Sequence, residues 1–225
     1  MKLVLFDIDG TLIWSGYAGS RALKKTFEKL YNISEPLKGI NPDGMTDPQI
    51  IKEIFKKNLN KEPDEKEIEE VFENYLYYLK ETVWNKDYRV MEGVRELIIE
   101  LKKLKEFIVG IATGNIYEGA KIKLLPSGLW DLFEIGAFAS DSEKREEILK
   151  IAKERAEKYK KCEIEKVIVI GDTPLDIIAA KKTGFISIGM ATGNFKKEEL
   201  EKFSPDFVFE NFKDYRKIVS VLIEI

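Results

Sequence analysis

The sequence predicts an α/β protein: a parallel β-sheet with helices on both faces and a helical subdomain inserted near one end of the chain. Three observations carry this. Short apolar runs that stop at Gly, Asp or Asn recur along the chain. Helical periodicity fills the intervals between them, and strand–helix alternation implies a parallel sheet covered on both sides. One long stretch, from about Trp14 to about Arg89, breaks the alternation with helical patterns and no strand.

Taken in order, the predicted strands are Leu3–Ile8, Phe107–Ala112, Glu134–Ala139, Val167–Ile170, Phe185–Ile188 and Phe207–Phe209. In the inserted stretch, Ile50, Ile51, Ile54 and Phe55 make one apolar face, and Ile68, Val71, Phe72, Tyr75 and Leu79 make another. Asn41-Pro42-Asp43-Gly44 reads as a turn between helices. Most of the rings of Tyr75, Tyr77, Tyr78 and Trp84 are expected to pack the insert's core or its seam rather than to stack on a ligand. Lys56-Lys57 and Glu65–Glu70 read as solvated helix faces. Beyond the insert, Val94, Leu97, Ile98, Leu101 and Leu104 follow helical spacing, as do Ile148, Ile151, Ala152 and Arg155. Thr173-Pro174 reads as an N-cap followed by Pro at the first helical position. The domains are therefore 1–13 with 90–225 as the α/β core, and 14–89 as the helical insert.

Composition removes several chemistries. The 225 residues contain no His and one Cys, Cys162. Imidazole-dependent nucleophile systems and His-ligated zinc, haem or copper lose their usual residue. A disulfide framework has no second thiol. Chemistry then rests on carboxylates, hydroxyls, cations and a hard metal. With 37 Lys+Arg against 40 Asp+Glu, the net charge of −3 gives no global field for nucleic acid. No apolar run approaches the roughly 18 residues of a membrane helix. Asp7 interrupts the first apolar run too soon for a signal peptide, so the expected location is cytoplasmic.

The first strand runs into Asp7-Ile8-Asp9-Gly10-Thr11-Leu12. The start resembles a calcium loop, but the acidic twelfth position of an EF-hand is Ala18 here. Alternation puts Asp7 and Asp9 on one side of an extended strand end. Neighbouring carboxylates repel unless a cation or a shared proton relieves them, so the pair suggests a metal or an acid/base couple. The second strand ends in Thr113-Gly114-Asn115 and the fourth in Gly171-Asp172-Thr173-Pro174-Leu175-Asp176. Asp176, three after Thr173, fits a capping box, and a metal-site role fits equally. In open parallel sheets ligands bind outside the carboxyl ends of the strands, where Asp7, Asp9, Thr113 and Asp172 all fall. Three acids on one edge can hold Mg²⁺, and a carboxylate can act as a nucleophile. The other phosphate motifs, G-x-x-x-x-G-K-[ST] and G-x-G-x-x-G, are absent.

Asp7-x-Asp9-Gly10-Thr11, then Thr113, then Gly171-Asp172-x-x-x-Asp176 resembles the haloacid dehalogenase-like hydrolase superfamily, in its phosphoglycolate-phosphatase-like branch with a helical cap after the first motif. The resemblance covers essentially the whole chain and implies a Rossmann-like core. It also implies Mg²⁺-dependent hydrolysis of a small-molecule phosphomonoester. Asp7 would attack phosphorus, and Asp9 would protonate the leaving oxygen and then activate water. Mg²⁺ would be held by Asp7, the Asp9 carbonyl and Asp172, with Asp176 as a further candidate. Thr113, Gly114 and Asn115 would bind phosphoryl oxygens. The family's Lys motif is replaced: its spacing gives the cationic position to Arg145, with Lys144 as competitor. In the cap, Gly44-Met45-Thr46-Asp47 stands where relatives often carry Gly-Lys/Arg-Thr-Asp. Thr46 and Asp47 would contact substrate, cap a helix, or do both. Retention of Asp9 points to phosphate esters rather than to dehalogenation. A phosphomutase of the β-phosphoglucomutase type uses the same Asp pair and is the alternative. A receiver-like phospho-acceptor or a non-catalytic binding module is the reading from another class. The substrate's identity and the oligomeric state are not written in the motifs.

Overall fold

The computed structural model describes residues 1–225. Its strands are β1 (Lys2–Phe6), β2 (Ile13–Trp14), β3 (Arg89–Val90), β4 (Phe107–Ala112), β5 (Ile135–Ala137), β6 (Lys166–Gly171), β7 (Ile186–Met190) and β8 (Phe207–Phe209). Its helices are α1 (Ala18–Tyr31), α2 (Asp47–Leu59), α3 (Glu65–Thr82), α4 (Val94–Lys103), α5 (Tyr117–Leu124), α6 (Arg145–Lys160), α7 (Pro174–Thr183), α8 (Lys197–Glu201) and α9 (Tyr215–Glu224). Six strands form one parallel sheet in the order β5-β4-β1-β6-β7-β8.

β1 is central because it is apolar on both faces. Leu3 lies opposite Ile108 of β4 and Val167 of β6. The side chains of β1 divide by parity. Val4 and Phe6 join Val94, Leu97, Ile218 and Leu222 of α4 and α9 in one core. Leu3 and Leu5 join Ile148, Ala152, Ala179 and Ala180 of α6 and α7 in the other. A one-residue slip of β1 would exchange these faces, so its register is strongly specified. After β1 the chain goes to β4 and β5 on one side, then returns to β6, β7 and β8 on the other. That reversal opens a crevice at the carboxyl ends of β1, β4 and β6.

Between β2 and β3 lie α1, α2 and α3, which share a third core containing Phe27, Ile51, Ile54, Phe55, Val71 and Leu79. Each fully buried Phe or Ile here contributes about 1.5–3 kcal/mol of transfer free energy. Asp64 caps α3, accepting from Glu67 N at 2.8 Å while Glu67 Oε2 accepts from Asp64 N at 3.1 Å. No helix is long and apolar enough to cross a membrane.

The differences from the sequence reading are local. β1 stops at Phe6 rather than Ile8, although Asp7 N still donates to Ile170 O at 3.0 Å. The chain then coils back, with Leu12 N and Ile13 N both donating to Ile8 O. β5 keeps only the middle of Glu134–Ala139, while β6 and β7 run further than expected. β2 and β3 pair antiparallel, Ile13 with Val90 and Trp14 with Arg89, at the two ends of the supposedly strand-free stretch. Two residues show no periodicity, so this ribbon is invisible in sequence. Tyr75 is buried, but Tyr77 and Trp84 are 60% and 65% exposed and pack no core. Tyr77 instead meets Tyr78 edge to face, with ring centroids 5.1 Å apart.

Candidate active site

The loop after β1 is built around Gly10. Its φ of +79° suits glycine, and a Cβ there would lie 2.2 Å from Asp172 Oδ2. Thr11 Oγ1 donates to Asp172 Oδ1 at 3.0 Å, tying the end of β1 to the end of β6. Gly193 makes room from the opposite side, since a Cβ there would sit 1.8 Å from Asp172 Oδ2. Asp7, Asp172 and Asp176 are all buried, with ligand oxygens within 4.8 Å of one another. Asp7 Oδ1 is buried and accepts no hydrogen bond.

Such a cluster is electrostatically unstable alone. Burial pushes the Asp7 carboxyl up to about 6, with Arg145 opposing and Asp176 adding to the rise. Burial, then the charges of Asp176 and Asp7, raise Asp172 well above the usual carboxylate range. A divalent cation would relieve both groups. The orphaned Asp7 oxygen and the all-oxygen donor set fit a hard metal.

Arg145 is the first residue of α6 and points inward, whereas Lys144, at the N-cap, is exposed. The guanidinium bonds Asp176 Oδ1 through Nη1 and donates from Nε to Gly44 O at 2.6 Å. Its Nη2 stands 3.7 Å from Asp7 Oδ2. Asp176 Oδ2 meanwhile accepts from Thr173 Oγ1 at 2.6 Å and Thr173 N at 3.1 Å. Asp176 therefore forms the capping box and braces Arg145, and both its oxygens are engaged.

Asp9 belongs to a second network. Its Oδ2 accepts from Lys123 Nζ at 2.6 Å and from Asn115 Nδ2 at 3.1 Å; its Oδ1 accepts from Ser15 Oγ at 2.7 Å. Lys123 also bonds Asn115 Oδ1. Asn115 Nδ2 reaches Thr113 Oγ1 at 2.9 Å, so the Thr113-Gly114-Asn115 turn is tied to Asp9. Burial works to raise the Asp9 carboxyl, but the charge and hydrogen bond of Lys123, with Ser15 and Asn115, hold it below the usual range. The sequence reading missed Lys123. The available signal was its place on α5 beside Leu124 and three after Ala120, both buried. A lysine on a buried stripe needs a partner.

The helical insert closes over this edge. Thr46 is the N-cap of α2: Gln49 Oε1 accepts from its N–H at 3.2 Å, and its Oγ1 donates to Glu143 O at 3.0 Å. Asp47 N donates to Gly114 O at 2.7 Å, and Asp47 Oδ2 accepts from Ile116 N at 2.8 Å. Gly114 is tight here, as a Cβ would meet Met45 O at 2.7 Å. Burial raises the Asp47 carboxyl to about 6 against the pull of Lys123. Thr46 and Asp47 thus join insert to core, and Asp47 also lines the cavity between them. That cavity, of about 140 Å³, is bounded by Asp7, Asp9, Asp172, Lys123 and Arg145 on the core side.

The family model for haloacid dehalogenase-like hydrolases matches residues 4–190. The chain is a haloacid dehalogenase-like hydrolase. This hydrolase is 29% identical over 226 residues to a phosphoglycolate phosphatase of Aquifex aeolicus, covering 97% of each chain. It is 27% identical to the pyrophosphatase PpaX of Halalkalibacterium halodurans, covering 98% of each. Among solved structures, a hydrolase from Pseudomonas syringae superposes with a TM-score of 0.74 at 21% identity, covering 97% of each chain. CbbY from Rhodobacter sphaeroides, in complex with phosphate, superposes with a TM-score of 0.72 at 17% identity, covering 94% of the hydrolase and 95% of that chain. At those identities the two structures speak for the fold of the hydrolase.

Proposed function

We propose that this hydrolase is a Mg²⁺-dependent phosphatase that cleaves a small-molecule phosphomonoester through an aspartyl phosphate on Asp7, beneath a cap formed by residues 14–89. One observation carries the reading: the buried Asp7 Oδ1, without a hydrogen-bond donor, stands in an acid cluster that faces the cleft between insert and core. Such an oxygen is held ready for a metal or for phosphorus.

In the first half-reaction an Asp7 oxygen bonds phosphorus as the ester P–O bond breaks, and the departing oxygen takes a proton from Asp9. In the second, water bonds phosphorus, the Asp7–phosphorus bond breaks, and Asp9 takes the proton released by water. The sum is ester plus water giving alcohol plus phosphate. The Lys123 contact keeps Asp9 ionised in the empty site, the form that accepts the proton from water in the second half-reaction; Asp9 takes up a proton from solvent as substrate binds and gives it to the departing oxygen in the first. Arg145, braced by Asp176, presents charge 3.7 Å from Asp7 and steadies phosphoryl oxygens. Gly114 and Asn115 line the same cavity, and with Thr113, buried just before them, they would bind phosphoryl oxygens. The side chains of Asp7 and Asp172, with the Asp9 carbonyl, would hold Mg²⁺, and Asp176 would act mainly through Arg145. When bound, the ion offsets the repulsion between the nucleophile and an anionic substrate.

Closure of the cap at Thr46 and Asp47 excludes bulk water during the first step. The compartment that suits this chemistry and charge is the cytoplasm. Product analysis tests the reading. With Mg²⁺, inorganic phosphate should appear in stoichiometry with substrate loss over many turnovers. An isomeric sugar phosphate formed without phosphate release would show a mutase, and no multiple turnover of p-nitrophenyl phosphate would refute the enzyme altogether.

A further inference from the structure

We infer that the leaving alcohol of the natural substrate carries no negative charge: the ester is one of a neutral or amine-bearing alcohol, not of a hydroxy acid or a second phosphate. The inference rests on the phosphatase reading and concerns the cap side of the same cavity.

The cavity has two cationic side chains, Arg145 and Lys123, and both come from the core. Arg145 is engaged by Asp176 and stands beside Asp7, where the transferred phosphoryl group must sit. Lys123 is almost fully buried, with its ammonium on Asp9 and Asn115 and the Tyr75 side chain alongside. Two of its three N–H groups are spent on Asp9 and Asn115, and its charge is offset by the Asp9 carboxylate 2.6 Å away, so it offers an anionic leaving group little net positive charge.

The cap offers no replacement. Of its residues lining the cavity, Tyr17, Leu23, Met45, Ile50 and Tyr75 are apolar or aromatic, and the charged ones are Asp43 and Asp47. The nearby cap cations are turned elsewhere. Arg21 bonds the carbonyls of Gly16 and Thr82, and Lys52 pairs with Glu143. Asp47 Oδ2 is taken by the Ile116 amide, while its Oδ1 has no protein partner. It is an acceptor placed for a hydroxyl or an ammonium. A carboxylate in the same place would lose its water, meet like charge and find no donor cation.

The experiment uses the full chain with Mg²⁺ turning over p-nitrophenyl phosphate, and measures competitive inhibition by a matched pair. Glycerol 3-phosphate and 3-phosphoglycerate differ by a hydroxymethyl group against a carboxylate at the far end. Inhibition registers binding whether or not either ester is turned over. Glycerol 3-phosphate should bind at least tenfold more tightly. Met45→Lys, which places a cation in the cap wall, should shrink that ratio at least fivefold. Equal or tighter binding of 3-phosphoglycerate by the unaltered protein would overturn the inference and leave the phosphatase intact. Failure to hydrolyse p-nitrophenyl phosphate would instead overturn the phosphatase reading and this inference with it.

Discussion

Lys123 offers the sharpest perturbation, because the site is built around an ion pair that motif reading does not contain. Lys123 Nζ lies 2.6 Å from Asp9 Oδ2, with the two side chains 7% and 36% exposed. At an effective dielectric constant near 20, the gross attraction at that distance is about 6 kcal/mol. Taking the ammonium out of water cancels several kcal/mol of it. Exposed pairs net about 0.2–1 kcal/mol, and breaking a fully buried pair costs about 3–5 kcal/mol. A pair with one buried and one partly wet member should fall between, at about 2 kcal/mol. Domains of ordinary stability, about 5–15 kcal/mol, survive that loss.

The assay is a double-mutant cycle in guanidinium unfolding at neutral pH, using Lys123→Met, Asp9→Asn and the combination. Methionine keeps the aliphatic stem and removes the charge. The coupling energy should be about 2 kcal/mol. Lys123→Met alone should also lower kcat by about tenfold to a hundredfold with a smaller effect on KM. The lysine bonds Asp9 directly and meets the phosphoryl-binding turn only through the Asn115 side chain, and general acid–base assistance is worth about 10²–10⁴. A coupling below about 0.5 kcal/mol, or an unchanged kcat, would refute the claim that Lys123 positions Asp9.

Three other outcomes follow from the same geometry. Arg145→Ala should raise the inhibition constant for inorganic phosphate at least tenfold, whereas Lys144→Ala, at an exposed N-cap, should change it less than twofold; the reverse would move the phosphoryl cation to Lys144. Gly193→Ala should weaken Mg²⁺ binding by calorimetry at least tenfold, because its methyl would overlap Asp172 Oδ2, and an unaltered affinity would remove Asp172 from the metal site. Asp7 and Asp47 are raised to about 6 and Asp172 is raised as well, so between about pH 4 and pH 6 the folded metal-free chain holds more protons than the unfolded chain. Its stability should therefore fall as pH rises through that window, and Mg²⁺ should raise the melting temperature more at pH 7.5 than at pH 5; a larger rise at pH 5 would contradict the sign.

What was legible in the sequence shares one physical property: it is local along the chain. β1 is apolar on both faces and ends at acids, so its strand and the acids at its carboxyl end could be read together. Thr173-Pro174 reads as a helix start because capping is decided within four residues. Periodicity marks α2 and α3 because their apolar faces run for several turns. The parts that were not legible depend on pairing across the chain. The β2–β3 ribbon joins residues more than seventy positions apart over two residues each. Motif spacing favours Arg145 over Lys144, but which of the two turns inward depends on where α6 begins. Lys123 meets Asp9 across 114 positions of the chain. Tyr77 and Trp84 lie on the helical stretch but outside its core, and residue type alone does not tell an exposed ring from a packed one.

The charges of the cavity also constrain how the reaction can begin. Asp7, Asp9, Asp43, Asp47 and Asp172 line it against Lys123 and Arg145 alone, and Lys123 is neutralised by Asp9. A phosphomonoester dianion entering such a space meets an excess of its own sign. Arg145 cannot reverse that balance while it answers both Asp176 and Asp7. The raised carboxyls of Asp7 and Asp172 express the same imbalance before any substrate arrives. Two routes lower the negative charge: protonation of the acids or binding of a cation. Protonation disables Asp7, because a neutral carboxyl is a poor nucleophile toward phosphorus. A divalent cation corrects the charge and leaves Asp7 ionised. The acid cluster without enough bases is therefore itself an argument that substrate and metal binding are coupled, with the metal strengthening phosphate affinity and phosphate strengthening metal affinity by the same factor.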